Sequence, residues 1–179
     1  MEVERQAVID FLQGKWLRHP LHPALVHIPT ALWPIAWIFD LFSQFTVDNV
    51  FVQLAFYAGL LAWVVALLAI PTGIADWTDI GREKTAWKLG LYHLILNVVV
   101  SILWAVNLWL RRESFQTDTS VPPGLVWLST FATVLLLISG YLGGRMIYAY
   151  GISVARLSKK KWRKIAQKGG AAVPPKKGK

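Results

Sequence analysis

The polar residues that could do chemistry are few, and they sit at or near the ends of long apolar runs. The stretch His19-Pro20-Leu21-His22-Pro23-Ala24-Leu25-Val26-His27-Ile28-Pro29 opens the first run. Asp76 follows the second, His93 and Asn97 lie early in the third, and Tyr141, Arg145 and Tyr148 lie late in the fourth. A histidine or arginine in hydrocarbon is costly and normally faces a protein interior with a partner. His22, His27, Asp76, His93, Arg145 and Tyr148 therefore form a candidate polar cluster. Two imidazoles at similar depth on different helices can ligate the iron of one b-type haem. His27 and His93 are the candidate axial ligands, Asn97 could orient a ligand from one turn beyond His93, and Arg145 could pair with a propionate. His22, His27 and Asp76 are a weaker candidate site for a divalent metal held by imidazole and oxygen. The alternative to both is structural: hydrogen-bonded histidines inside a helical bundle.

The elements that must position these groups are the runs themselves, at about 23–45, 50–71, 86–110 and 123–150. Each has the ~20 apolar residues needed to cross a bilayer core. Helices satisfy their own backbone in lipid, so the expected fold is all-α, an integral membrane four-helix bundle. The 179-residue chain is 55% apolar with ten Trp, which fits this class. Three parts follow: a 1–22 leader that could be an interfacial amphipathic helix, a 23–154 membrane domain, and a basic, largely disordered 155–179 tail. Residues 1–17 lack the basic start and continuous apolar core of a signal peptide. No internal repeat is legible, which counts against a transporter, since transporter folds are often built from repeats.

Of the nineteen Lys and Arg, only Arg111 and Arg112 fall on the side opposite both termini. The positive-inside rule then places both termini in the cytoplasm. The net charge of +9 comes mostly from the tail, which is read as facing anionic lipid rather than nucleic acid. With no cysteine, thiolate metal sites and iron–sulfur ligation are excluded. The tryptophans near span ends, Trp77, Trp87 and Trp104 among them, read as interfacial anchors. Asp40 and Asn107 read as meeting water or headgroups, and Gly73 as ending the second helix with Asp76 in the turn beyond. Gly140, Gly143 and Gly144 read as places where another backbone approaches.

The motifs together resemble a bacterial membrane family, domain of unknown function 2231. They are His22-Pro23-Ala24-Leu25-Val26-His27-Ile28-Pro29 with Asp40, then Gly73-Ile74-Ala75-Asp76-Trp77, then His93 with Asn97, then Gly140-Tyr141-Leu142-Gly143-Gly144 with Tyr148 and Gly151. The resemblance implies a four-span inner-membrane protein, multi-pass, with some members joined to or found with Rieske-type iron–sulfur domains. Arg145 departs from it, standing where the family pattern usually has an acidic residue. The expected function is an accessory or scaffold subunit of a membrane assembly, with other membrane subunits or a Rieske-type redox partner. The alternatives are a single-haem b-type electron carrier and a small transporter. No nucleophile–base pair or phosphate loop is visible, so catalysis is not expected.

Overall fold

Four long helices follow the four apolar runs. In the computed structural model, which describes residues 1–152 and 159–170, α1 (Glu2–Leu12) and a 3-10 turn (Lys15–Leu17) come first. Then follow α2 (Leu21–Phe42), α3 (Val50–Thr78), α4 (Thr85–Arg111), α5 (Pro123–Tyr148) and α6 (Lys159–Lys168). Helices α2 to α5 are long and apolar enough to cross a membrane, and no strand occurs among the described residues. Their short connections make neighbours antiparallel. Helix α2 packs on α3 and α4 on α5, while α3–α4 and α2–α5 close the bundle. Within the tail read as largely disordered, Lys159–Lys168 is helical, and 153–158 and 171–179 lie outside the described residues.

The largest difference from expectation is the end of α3. Neither Pro71 nor Gly73 stops it; the helix runs on to Thr78 and carries Asp76 on its last turns. Proline removes one amide, but the rest of the ladder can continue. Thr72 and Ala75 are buried against the bundle, and the Gln13 amide donates to the Ala75 carbonyl at 3.0 Å. Packing thus holds a helix that local signals would end. At the other end α2 stops at Phe42, because Gln44 and Phe45 donate to carbonyls three residues back and Ser43 Oγ caps the Asp40 carbonyl at 2.7 Å.

The two hairpins, α2–α3 and α4–α5, are copies of one arrangement. The Asp40–Arg111 ion pair joins residues 71 apart in the chain, and the ring contacts His22–His93 and Trp33–Trp104 have the same spacing. All four buried residues of α2 (Pro29, Trp33, Ala36, Asp40) map by this spacing onto buried residues of α4 (Val100, Trp104, Asn107, Arg111). At a spacing one residue shorter, Gly59, Ala62, Ala66 and Ala69 of α3 map onto Ser129, Ala132, Leu136 and Ser139 of α5, again all buried. The hairpins are therefore parallel repeats about an axis along the bundle. This corrects the sequence reading, which found no repeat: most paired residues differ in type, and what is shared is their burial.

The core lies on that axis. Trp33 and Trp104 stack with ring centres 6.0 Å apart and planes 8° from parallel. Trp104 is thus a buried core residue and not an interfacial anchor. It fits because Gly59 has no side chain: a Cβ there would lie 2.8 Å from the indole. Trp77 and Trp87 pack on each other at 4.7 Å, while Trp16, Trp109 and Trp127 are exposed, as anchors would be. Asp40 and Asn107 do not meet water either. Arg111 reaches Asp40 through two bonds of 2.8 and 3.1 Å and also donates to Asn107 Oδ1, and all three residues are buried. Among the described residues nothing accepts from the buried donors Trp33 Nε1, Trp104 Nε1 and Arg111 Nε. Such a donor ordinarily costs about 1–3 kcal/mol.

Candidate functional site

A cavity of about 380 Å³ lies in the half of the bundle where α2 and α4 begin and α3 and α5 end. Its upper part is lined by His22, Asp76, His93 and Asn97; its lower part by Trp33, Ala66, Ser101 and Leu136. Trp33 lies eleven residues beyond His22 on α2, about 16 Å along a helix. The lining is mostly apolar with the polar groups gathered near one end, the usual build of a small-molecule site.

Each hairpin seats one imidazole in the same way. His22 Nδ1 lies 3.0 Å from the Ala69 carbonyl, and His93 Nδ1 lies 2.8 Å from the Ser139 carbonyl. A carbonyl only accepts, so both rings carry their proton on Nδ1. Four residues past each carbonyl stands a glycine. A Cβ on Gly73 would sit 2.7 Å from the His22 ring, and one on Gly143 would sit 3.1 Å from the His93 ring. These glycines admit an imidazole, where the sequence reading had expected another backbone at Gly143. The two rings meet edge to face with centres 6.4 Å apart.

The remaining nitrogens differ. His93 Nε2 accepts from Asn97 Nδ2 at 3.1 Å, and that amide also donates to Ser139 Oγ at 2.7 Å. His93 is thus within hydrogen-bond reach at both nitrogens, with Nε2 sharing the two Asn97 amide protons with the His93 carbonyl at 2.8 Å and with Ser139 Oγ. His22 uses only Nδ1, with Thr72 Oγ1 also near it at 3.4 Å.

The haem arrangement read from the sequence does not fit this geometry. The histidine brought to His93 is His22, whereas His27 is exposed at the cavity wall, five residues further round α2. Arg145 and Tyr148 are exposed and do not line the cavity, so neither joins the polar cluster. Tyr141, Arg145 and Tyr148 do share a face, but it is the outward one; Leu136, Gly140 and Gly143 line the cavity. Asp76 lines the cavity, yet neither a histidine nor Arg145 forms an ion pair with it. Among the described residues no group of three or more His, Asp and Glu could hold a metal ion, so His22, His27 and Asp76 make no such site. Ser139, Trp33 and the two cradling glycines were not identified as site residues. The shared four-residue step from Ala69 to Gly73 and from Ser139 to Gly143 was the available signal.

Above the cavity a wider bowl of about 710 Å³ is lined by Gln13, Lys15, Arg18, His19, Asp76, Asp79 and Lys84 among others. Gln13 fixes its floor, donating to Ala75 O and, at 2.8 Å, to Asp79 Oδ2. Lys15 is held by Asp10 at 2.5 Å, a hydrogen bond that keeps the Asp10 carboxyl below its ordinary range. Asp76 is shared by bowl and cavity. On α5, Gly140 and Gly144 also line the cavity, and a Cβ on either would meet nothing within 4 Å.

Residues 18–156 match the family described as predicted membrane protein, DUF2231. The match covers most of the chain, and the chain belongs to this family. No match was found among curated proteins or among solved structures.

Proposed function

We propose that this membrane protein is a non-catalytic binding subunit of the cytoplasmic membrane, whose cavity holds a small, largely apolar molecule drawn from the bilayer or the adjoining face. The observation that carries the reading is the cavity itself: an apolar slot inside the bundle, with His22, Asp76, His93 and Asn97 converging near its open end. His93, Asn97 and Ser139 are bonded to one another and supply a rigid wall. His22 Nε2 and the Asp76 carboxylate are acceptors at the mouth, which suits a ligand whose head donates hydrogen bonds. The charge bias supports the reading that the cavity half of the bundle and both termini face the cytoplasm. The basic tail then lies against anionic lipid of that leaflet, with α6 as an amphipathic element along it.

The test is native mass spectrometry of the protein released from lipid nanodiscs, comparing wild type with Gly140→Leu and Gly144→Leu. Both substitutions grow into open space, so the bundle should melt no earlier than wild type. Wild type should carry a bound small molecule at defined stoichiometry, and the leucine variants should lose it. Equal adducts on all three proteins, or none on any, would overturn the binding reading.

A further inference from the structure

We infer that the protein carries its ligand through the membrane by parting its two hairpins, with Asp40–Arg111 closing the far end in the observed state. This rests on the binding reading above and extends it. The cavity lies in the half of the bundle where α2 begins and α5 ends, is lined there by His22, Asp76 and Ile152, and reaches Trp33, which stacks on Trp104. Beyond that stack the axis is closed by Asp40, Arg111 and Asn107.

Three features make this barrier a movable one. First, it lies on the seam between the repeats: Trp33 faces Trp104 and Asp40 faces Arg111, each pair holding equivalent places on the parallel helices α2 and α4. Parallel repeats with a site at their interface are a common plan of carriers, whose halves rock about the site. Second, much of the far-end seam is polar. Besides the ion pair, Ser43 and Gln44 bond to Val121, and Asn49 bonds to Phe115. Polar contacts can be exchanged for water when the end opens, whereas a closely packed apolar seam would be exposed. The Phe56–Phe115 stack and the Trp104 indole seated on Gly59 are apolar contacts that must shift with them.

Third, the barrier leaves donors unsatisfied. Among the described residues five buried side-chain atoms have no protein partner, and Trp33 Nε1, Trp104 Nε1 and Arg111 Nε all lie in the barrier; the other two are Gln13 Oε1 and Thr46 Oγ1. A purely structural plug tends to satisfy its donors. Donors without a protein partner at the seam can take ligand or water when the hairpins part.

The chain has no cysteine, so single cysteines report access cleanly. Ser101→Cys places a thiol at the cavity floor beside the barrier. A membrane-impermeant maleimide is applied from either face in oriented vesicles, with lipid-facing Val134→Cys as the background control. The thiol at position 101 should react quickly from the face bearing the termini, and slowly but above background from the other. Adding Asp40→Ala with Arg111→Ala should raise the far-face rate at least tenfold and leave the near-face rate unchanged. Far-face labelling no faster than background in both proteins would overturn carriage and leave a one-sided binding site. Far-face labelling of the parent that the double substitution does not raise would overturn the role of the ion pair. No labelling from either face would sink the cavity reading as well. If the double variant does not fold, far-face labelling of the Ser101→Cys parent still decides whether the barrier opens.

Discussion

At the scale of single residues, the imidazoles are placed by what is missing beside them. Gly73 and Gly143 leave room for rings, and Gly140 and Gly144 leave room for nothing in the protein. The two kinds of glycine should respond oppositely to one methyl group. Gly73→Ala drives a Cβ to 2.7 Å from the His22 ring, so the ring must leave the Ala69 carbonyl. A cost of about 1–3 kcal/mol is expected for that overpacking. Gly140→Ala meets no atom and gains helix propensity, about 0.5–1 kcal/mol. Thermal unfolding of the two variants in one detergent should move in opposite directions; a shared direction would mean the ring is not seated by Gly73. The sequence made the chemistry-bearing types legible, and it made His93 with Asn97 legible as one unit. It misassigned the partner histidine, because depth along a helix was read but rotation about it was not. His22 and His27 are five residues apart and so cannot share a face.

At the scale of elements, the spans were legible because twenty-residue apolar runs have one outcome in lipid. Their ends were less so. The long α3 passes both Pro71 and Gly73, since buried Thr72 and Ala75 outweigh two local breakers. The repeat was invisible for a related reason: burial on a shared face constrains size and position but leaves residue type open. Asp40 and Arg111 show it at its limit, equivalent positions filled by opposite charges. That pair gives a second prediction. Arg111→Leu leaves the Asp40 carboxylate buried without its cation and should destabilise the bundle by about 3–5 kcal/mol. Combining it with Asp40→Leu removes both charges and should recover most of that loss, because an apolar pair carries no desolvation penalty. A double-mutant cycle on unfolding free energy checks this. A double variant as unstable as the single one would show that the ion pair itself, and not the avoidance of a lone charge, holds α2 to α4.

At the scale of the whole molecule, the two ends of the bundle differ in kind. One end holds the bowl, the polar part of the cavity and α1; the other holds a buried ion pair and the loop carrying Arg112. The Arg111 charge is neutralised inside the protein by Asp40, and Arg112 pairs with Glu113 at 2.7 Å. Orientation decides which compartment reaches the His22–His93 mouth. Thr117, in the loop after α4, and Lys164, on α6 beyond the last span, are exposed and serve as reporters. In intact cells a membrane-impermeant maleimide should label Thr117→Cys, while Lys164→Cys should react only after lysis. The reverse pattern would place the cavity mouth outside the cytoplasm, and the ligand would then enter from the opposite compartment. Labelling of both sites in intact cells would mean that the chain inserts in two orientations, in which case neither end of the bundle belongs to one compartment.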